Sequence, residues 1–250
     1  MPVTIDELEA AAARGWRAPE EEPLGGWLLR AAAGFTGRGN SALAAGDPGL
    51  PLAAAETVVR RWYAARSLPA MIAVPYPLGR PGDSRTDRFL GERGWTIRSG
   101  PAVVMTAPAA DIARTGPAGQ VGLDPEPDQA WLDLYHYRGQ ELPPIASQLL
   151  LSAPFQAFAS IRRNASTVAI GRVAVADGWG GLTAVEVHPD HRRTGLATAI
   201  TAALAAAAQQ GAGHLYLQVE EDNQGARALY ARAGFTDHHS YHYRVAPATS

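Results

Sequence analysis

Between an apolar run, LTAVEV (residues 182–187), and an alanine-rich run, TAITAALAAAA (residues 198–208), the chain places HPDHRRTGLA. β-Branched residues alternate up to Val187 and then stop at Pro189, which cannot donate to a ladder. The alanines that follow favour a helix. A strand therefore turns sharply into a helix near Gly195. The first amides of such a helix have no carbonyl to bond, and the positive end of the helix dipole adds to them. Glycine keeps bulk away, Ala197 is small, and Arg192 and Arg193 add charge. The local chemistry is that of an anion site, suited to a diphosphate.

Composition narrows what the anion can be. No lysine occurs, so all 22 cationic side chains are arginine, and neither a Schiff base nor a Walker-type phosphate loop is available. Cysteine is also absent, which excludes disulfides, thiolate nucleophiles and thiolate metal sites. A net charge of −2 without a dense basic block predicts no nucleic-acid or anionic-membrane partner. The acidic start, MPVTIDELEA, is unlike a secretory signal, and no segment approaches the roughly 20 apolar residues of a membrane span. These features predict a cytoplasmic location. They leave oligomeric state open.

Organisation repeats along the chain. RFLGERGWT (residues 88–96) and ALYARAGFT (residues 228–236) each read as an amphipathic turn of helix stopped by glycine, Gly94 or Gly234, before an aromatic and a threonine. Upstream of the first lie a helical pattern at 52–66 and a strand at 70–75. Upstream of the second lie a helix at 195–210 and a strand at 214–219. Strands are predicted at 27–32 and 40–45, joined by GFTGRG, and at 155–161, 167–176 and 181–187, with turns at Arg163-Asn164 and Asp177-Gly178. Residues 128–138 and 146–151 carry helical spacing. The fold class expected is α/β with a mixed, mostly antiparallel sheet flanked by helices. An internal duplication divides it into 1–107 and 108–250, with APAADIARTGPAG (residues 107–119) read as a loop between them.

Arg192-x-x-Gly195-x-Ala197, following Val185-x-Val187-x-Pro189, resembles the pyrophosphate motif of the GNAT acetyltransferase superfamily. QVEEDNQGARALYARAGF (residues 218–235) is similar to that superfamily's second signature in the order of its Asn, Ala, Leu-Tyr and Gly-Phe. The resemblance implies two tandem GNAT-like domains with a degenerate first half, as in tandem actinobacterial members. GGWLLRAAAGFTGRGNS (residues 25–41) also looks like a signature of a tandem family. It implies acetyl-CoA as co-substrate, with no metal, and transfer to a primary amine of a small molecule or peptide. On this resemblance the cofactor-binding residues are Val185, Val187, Arg192, Arg193, Thr194, Gly195, Leu196, Ala197, Thr198 and Asn223. Tyr230 matches the family's general acid. A core tyrosine is the competing reading, set aside because Leu229 and Phe235 supply that face.

Glu186 alternates with Val185 and Val187, so it points away from the core if they point into it, which makes it the candidate base. A solvated strand carboxylate is the equal alternative, and Glu220, Glu221 and Asp222 are secondary candidates. The first half has Leu90 where the second has Tyr230, and GDPGLPLAAA where the phosphate loop belongs. A non-catalytic acyl-CoA sensor or scaffold is the alternative function. Gly37-x-Gly39-x-x-Ala42 spells a dinucleotide fingerprint, but Gly46, Asp47, Pro48 and Gly49 forbid the helix it must open. In HHSYHYR (residues 238–244), His238 and His242 would share a strand face and His239 would not. Without cysteine or a nearby carboxylate, pocket lining is expected there rather than a metal.

Overall fold

The computed structural model describes residues 3–98, 100–116, 121–135 and 142–248. Thr4 opens the first helix, α1 (Ile5–Gly15), through a capping box in which Thr4 and Glu7 satisfy each other's backbone amides. Strands β1 (Glu20–Leu24), β2 (Trp27–Ala31) and β3 (Ala42–Leu43) follow, then α2 (Leu52–Ala64), β4 (Met71–Tyr76), α3 (Arg85–Glu92), β5 (Thr96–Ile97) and β6 (Ala102–Pro108). A short helix α4 (Ala109–Ala113) leads to β7 (Gly122–Asp124), α5 (Gln129–Leu134) and α6 (Ile145–Leu150). The meander β8 (Phe155–Arg163), β9 (Ser166–Ala176) and β10 (Gly178–Val187) precedes α7 (Leu196–Ala208), β11 (Ala212–Glu220), α8 (Gln224–Ala233) and β12 (Thr236–Val245).

The described strands form one mixed sheet in the order β1-β2-β3-β4-β12-β6-β11-β10-β9-β8-β7, with β5 paired to β12. Parallel pairs occur at β3–β4 and β10–β11, each bridged by a helix, α2 or α7. From either side, the order toward the centre runs hairpin, parallel crossover, then a strand that is not next in sequence: β12 after β4, and β6 after β11. β6 sits between β12 and β11, while β12 sits between β4 and β6. A cut at 107/108 therefore passes through strands that are hydrogen-bonded neighbours across it.

The two largest apolar cores lie beneath the crossover helices. One gathers Trp27, Leu29, Val59, Tyr63, Ile72, Leu90 and Trp95 beneath α2. The other gathers Leu182, Leu196, Ile200, Leu204, Leu215, Leu217 and Phe235 beneath α7. α7 presses close on β9 because Gly171 has no side chain: a Cβ there would lie 2.5 Å from Ile200 Cγ2 and 2.9 Å from Leu204 Cδ1.

Local differences from expectation have physical causes. β3 keeps only Ala42 and Leu43 of the run 40–45, because Arg38–Asn40 coil into a 3-10 turn that Asn40 braces through Phe35 and Thr36 carbonyls. The β8–β9 turn falls on Asn164 and Ala165, both with positive φ, one residue later than expected. Residues 107–119 are not a simple loop: β6 runs to Pro108 and α4 follows at once, with Ile112 buried. Residues 117–119 of that segment, and 136–138 of the helical pattern 128–138, lie outside the described residues.

Candidate active site

Past Leu182 and Leu217 the parallel strands β10 and β11 cease to pair, although β10 continues to Val187 and β11 to Glu220. The cause is local. β10 breaks register with β9 between Thr183 and Glu186, where Ala184 takes a φ of 53°, so the strand bends away from β11. Val185 and Val187 pack on the core under α7. Alternation then places Glu186 on the opposite face, as the sequence implied.

The turn that follows is built for an anion. His188 to His191 form a 3-10 turn, and Arg192 Nε donates to the Val187 carbonyl at 3.3 Å. Thr194 Oγ1 donates to the His191 carbonyl at 2.7 Å. Arg193 (φ 60°) and Gly195 (φ 83°) both adopt the left-handed conformation, and α7 begins immediately after with no side-chain cap. The Ala199 amide is the first to find a helical carbonyl, that of Gly195. The amides of Gly195, Leu196, Ala197 and Thr198 therefore remain available at the mouth of the splayed strands. Nothing lies within 4 Å of the position a Gly195 Cβ would take, so the approach is open. Leu196 is buried in the core and can offer only its amide, while Arg192 and Arg193 are exposed.

Asn223 caps α8, its side chain accepting from the Ala226 amide at 3.0 Å. Seven positions on, Tyr230 packs against the α7 core and meets Phe235 edge-on at 5.7 Å. Its ring thus shares the apolar face, contrary to the reading that Leu229 and Phe235 fill that face alone. Burial pushes its phenol up to about 12, so it holds its proton at any physiological pH.

On the other face of the splay, Gln218 and Glu220 line a cavity of about 220 Å³ with Thr36, Arg38, Tyr241 and His242. Gln218 is the first β11 residue beyond the last β10 pair, so this cavity adjoins the splayed strands. Arg38 Nη1 donates to Gln218 Oε1 at 2.8 Å, and its Cζ lies 4.9 Å from the Trp16 ring centre. His242 is 3% exposed and donates from Nε2 to Asp87 Oδ1 at 2.5 Å. Arg244 holds both Asp87 oxygens, at 2.8 and 2.9 Å. Burial alone would raise the Asp87 carboxyl, but the hydrogen bonds from His242 and Arg244 outweigh it and hold it well below the usual range.

The histidines of 238–244 are therefore divided. A bulge after Asp237 turns His239 inward onto Glu9, at 2.9 Å, while His238 reaches the Val3 carbonyl. The carboxylates missing from the local sequence come from α1 and α3, one apiece. No group of three or more metal-capable side chains forms among the described residues. Among the secondary acids, Glu220 lines the cavity, and Glu221 and Asp222 lie exposed beyond the end of β11.

A mixed sheet splayed beside an uncapped glycine-opened helix is the arrangement that the sequence's resemblance to the GNAT superfamily leads one to expect. The family model described as "Probable histone acetyltransferase Rv0428c C-terminal" matches residues 3–244, and the chain belongs to that family. It is 32% identical over 261 residues to the probable histone acetyltransferase Rv0428c of Mycobacterium tuberculosis, covering 98% of this chain and 74% of that one. It is 28% identical over 249 residues to the uncharacterized N-acetyltransferase YobR of Bacillus subtilis, covering 96% and 98%. In fold it matches a GCN5-related N-acetyltransferase from Kribbella flavida (TM-score 0.72, 22% identity, 99% and 98% covered). It also matches a tandem GNAT protein from the clavulanic acid biosynthesis pathway (TM-score 0.58, 15% identity, 76% and 68% covered). By this family membership the chain is an acetyltransferase. No helix among the described residues is long and apolar enough to cross a membrane.

Proposed function

We propose that the chain moves an acetyl group from acetyl-CoA to a primary amine of a small molecule or peptide by direct attack, in the half formed by residues 108–250. The observation that carries this reading is the coincidence of the open α7 amides with the point where β10 and β11 part. The pyrophosphate takes the amides from Gly195 to Thr198, aided by Arg192, Arg193 and Thr194. The pantetheine arm runs along the β10 backbone at Val185 and Val187, with Asn223 beside it. The amine nitrogen attacks the thioester carbon, and the C–S bond breaks. Glu186 takes the proton the amine loses, directly or through a water, and the Tyr230 hydroxyl gives one to the departing sulfur.

The Tyr230 phenol, raised to about 12, carries its proton throughout the neutral range, as a general acid must. In this reading residues 1–107 form a second, degenerate repeat. Its last strand, β6, is exchanged with β12, and it supplies Thr36 and Arg38 to the acceptor side.

Tyr230→Phe tests the chemistry. Turnover, followed by thiol release in a protein with no thiol of its own, should fall by about 10²-fold or more while acetyl-CoA affinity stays within a factor of three. A variant with unchanged turnover removes the acid role; a wild type without turnover for any amine returns the protein to the sensor reading.

A further inference from the structure

We infer that the acceptor carries a carboxylate as well as its amine, and that the Arg38 guanidinium holds this carboxylate in the cavity beside Gln218 and Glu220. The inference rests on the acetyl-transfer reading and adds a substrate class to it.

Arg38 spends one donor on Gln218, and its Nε and Nη2 make no hydrogen bond to the described residues. No carboxylate of the described residues lies within 4.0 Å of it. Its surroundings are short of negative charge. Arg30 is 4% exposed and uses only the Ser41 carbonyl and hydroxyl. Arg172, fully buried, donates to the Leu150 and Gly15 carbonyls at 2.7 and 3.3 Å, the C-terminal ends of α6 and α1. Glu9, which lines a small void next to Arg38, is engaged by His239. Burial draws the Arg172 guanidinium down to about 10, and the Arg38 charge pushes the same way.

A guanidinium that lines a cavity and has donors not spent on the described residues is matched by a planar anion that accepts from two of them. Desolvating it without that partner costs free energy that a bound carboxylate would recover. The same cavity is lined by Thr36, Gln218 and Glu220. Its volume, about 220 Å³, is below the roughly 300–1,000 Å³ of pockets for drug-sized ligands, which limits the acceptor to a compact molecule. Gln218 lies between this cavity and the splay, so an acceptor anchored on Arg38 has its amine end free to reach the thioester.

The test pairs glycine, β-alanine, 4-aminobutyrate, 5-aminovalerate and lysine, each with the alkylamine of equal length lacking the carboxylate, using acetyl-CoA and thiol release. At least one carboxylated member should exceed its partner in kcat/KM by about 30-fold, the scale of charge-assisted hydrogen bonds. Arg38→Met should erase that preference through KM, with acetyl-CoA affinity unchanged as the sign of an intact fold, and Arg38→Lys should keep part of it. Equal rates within every pair, or a preference that survives Arg38→Met, overturns the inference and leaves acetyl transfer standing. If nothing is turned over, calorimetry of the series against acetyl-CoA-loaded protein decides, and no uptake of any carboxylated member overturns it. A protein that fails to take up acetyl-CoA loses both readings.

Discussion

The helices α2 and α7 occupy corresponding places, each crossing between two parallel strands, yet their N termini differ in every feature that matters to an anion. α7 opens behind a left-handed Gly195 with Arg192 and Arg193 alongside. α2 opens behind Pro51, itself preceded by Asp47 and Pro48, so a carboxylate and missing amides stand where donors would be needed. The helices that follow repeat the lesson. Leu90 on α3 is 1% exposed and lies in the core, whereas Tyr230 on α8 is half-buried against its core and carries a hydroxyl. Under the proposed function, residues 1–107 use these positions for burial and residues 108–250 use them for chemistry. The first half's own buried polar network is structural: Glu56 on α2 accepts from Trp95 Nε1 and Arg60, both at 2.9 Å, and from Arg93.

The largest effect expected from breaking this division is at Asp87, where α3 of the first half grips the last strand of the second. Asp87→Asn removes the negative charge and one of the two oxygens that accept from His242 and Arg244, turning an NH₂ toward a guanidinium, and should cost about 3 kcal/mol, read by chemical denaturation. Because folding depresses the Asp87 carboxyl below its usual 3.8, its contribution is full above that pH and drains away as the pH falls through the lower folded value. The stability difference between wild type and Asp87→Asn should therefore hold at pH 5 and shrink only under strongly acidic conditions.

A smaller effect distinguishes the two loops. Gly195→Ala meets no neighbour but must adopt a positive φ, so about 1–2 kcal/mol of strain should appear as roughly tenfold weaker acetyl-CoA binding. Gly49→Ala, equally strained at φ 71° in the loop before α2, should lower stability and leave that affinity untouched. Equal losses of affinity would erase the distinction between the halves.

The smallest effect is an expected constancy. With Tyr230 raised to about 12, its protonated form persists throughout the alkaline range, so kcat should show no falling limb up to about pH 10. A limb near pH 8 that vanishes in Tyr230→Phe would contradict its assignment as a buried acid.

The anion loop was readable in the sequence because all its parts lie between Val185 and Thr198 and depend on local rules: strand alternation, a proline, a glycine and a helix start. The crossover helices and the meander were readable for the same reason. What escaped was assembled across the chain. Arg38 meets Gln218 across 180 residues, Asp87 meets His242 across 155, and Glu9 meets His239 across 230. Nothing in local spacing announces such pairs. The exchange of β6 and β12 escaped likewise, since a strand's partners are set by topology and not by its own pattern. α1 is different: Thr4 and Glu7 spell a capping box, a local signal that would have located it. Arg172, a lone charge in the apolar strand TVAIGRVAVA, was a second unused signal of a buried polar role.

The claim on which everything turns is that the amides opening α7 hold linked phosphates, and calorimetry with coenzyme A and with pantetheine tests it most directly. Coenzyme A should bind at least about 100-fold more tightly, a difference of about 2.7 kcal/mol contributed by the phosphates. Equal affinities for the two would contradict the account.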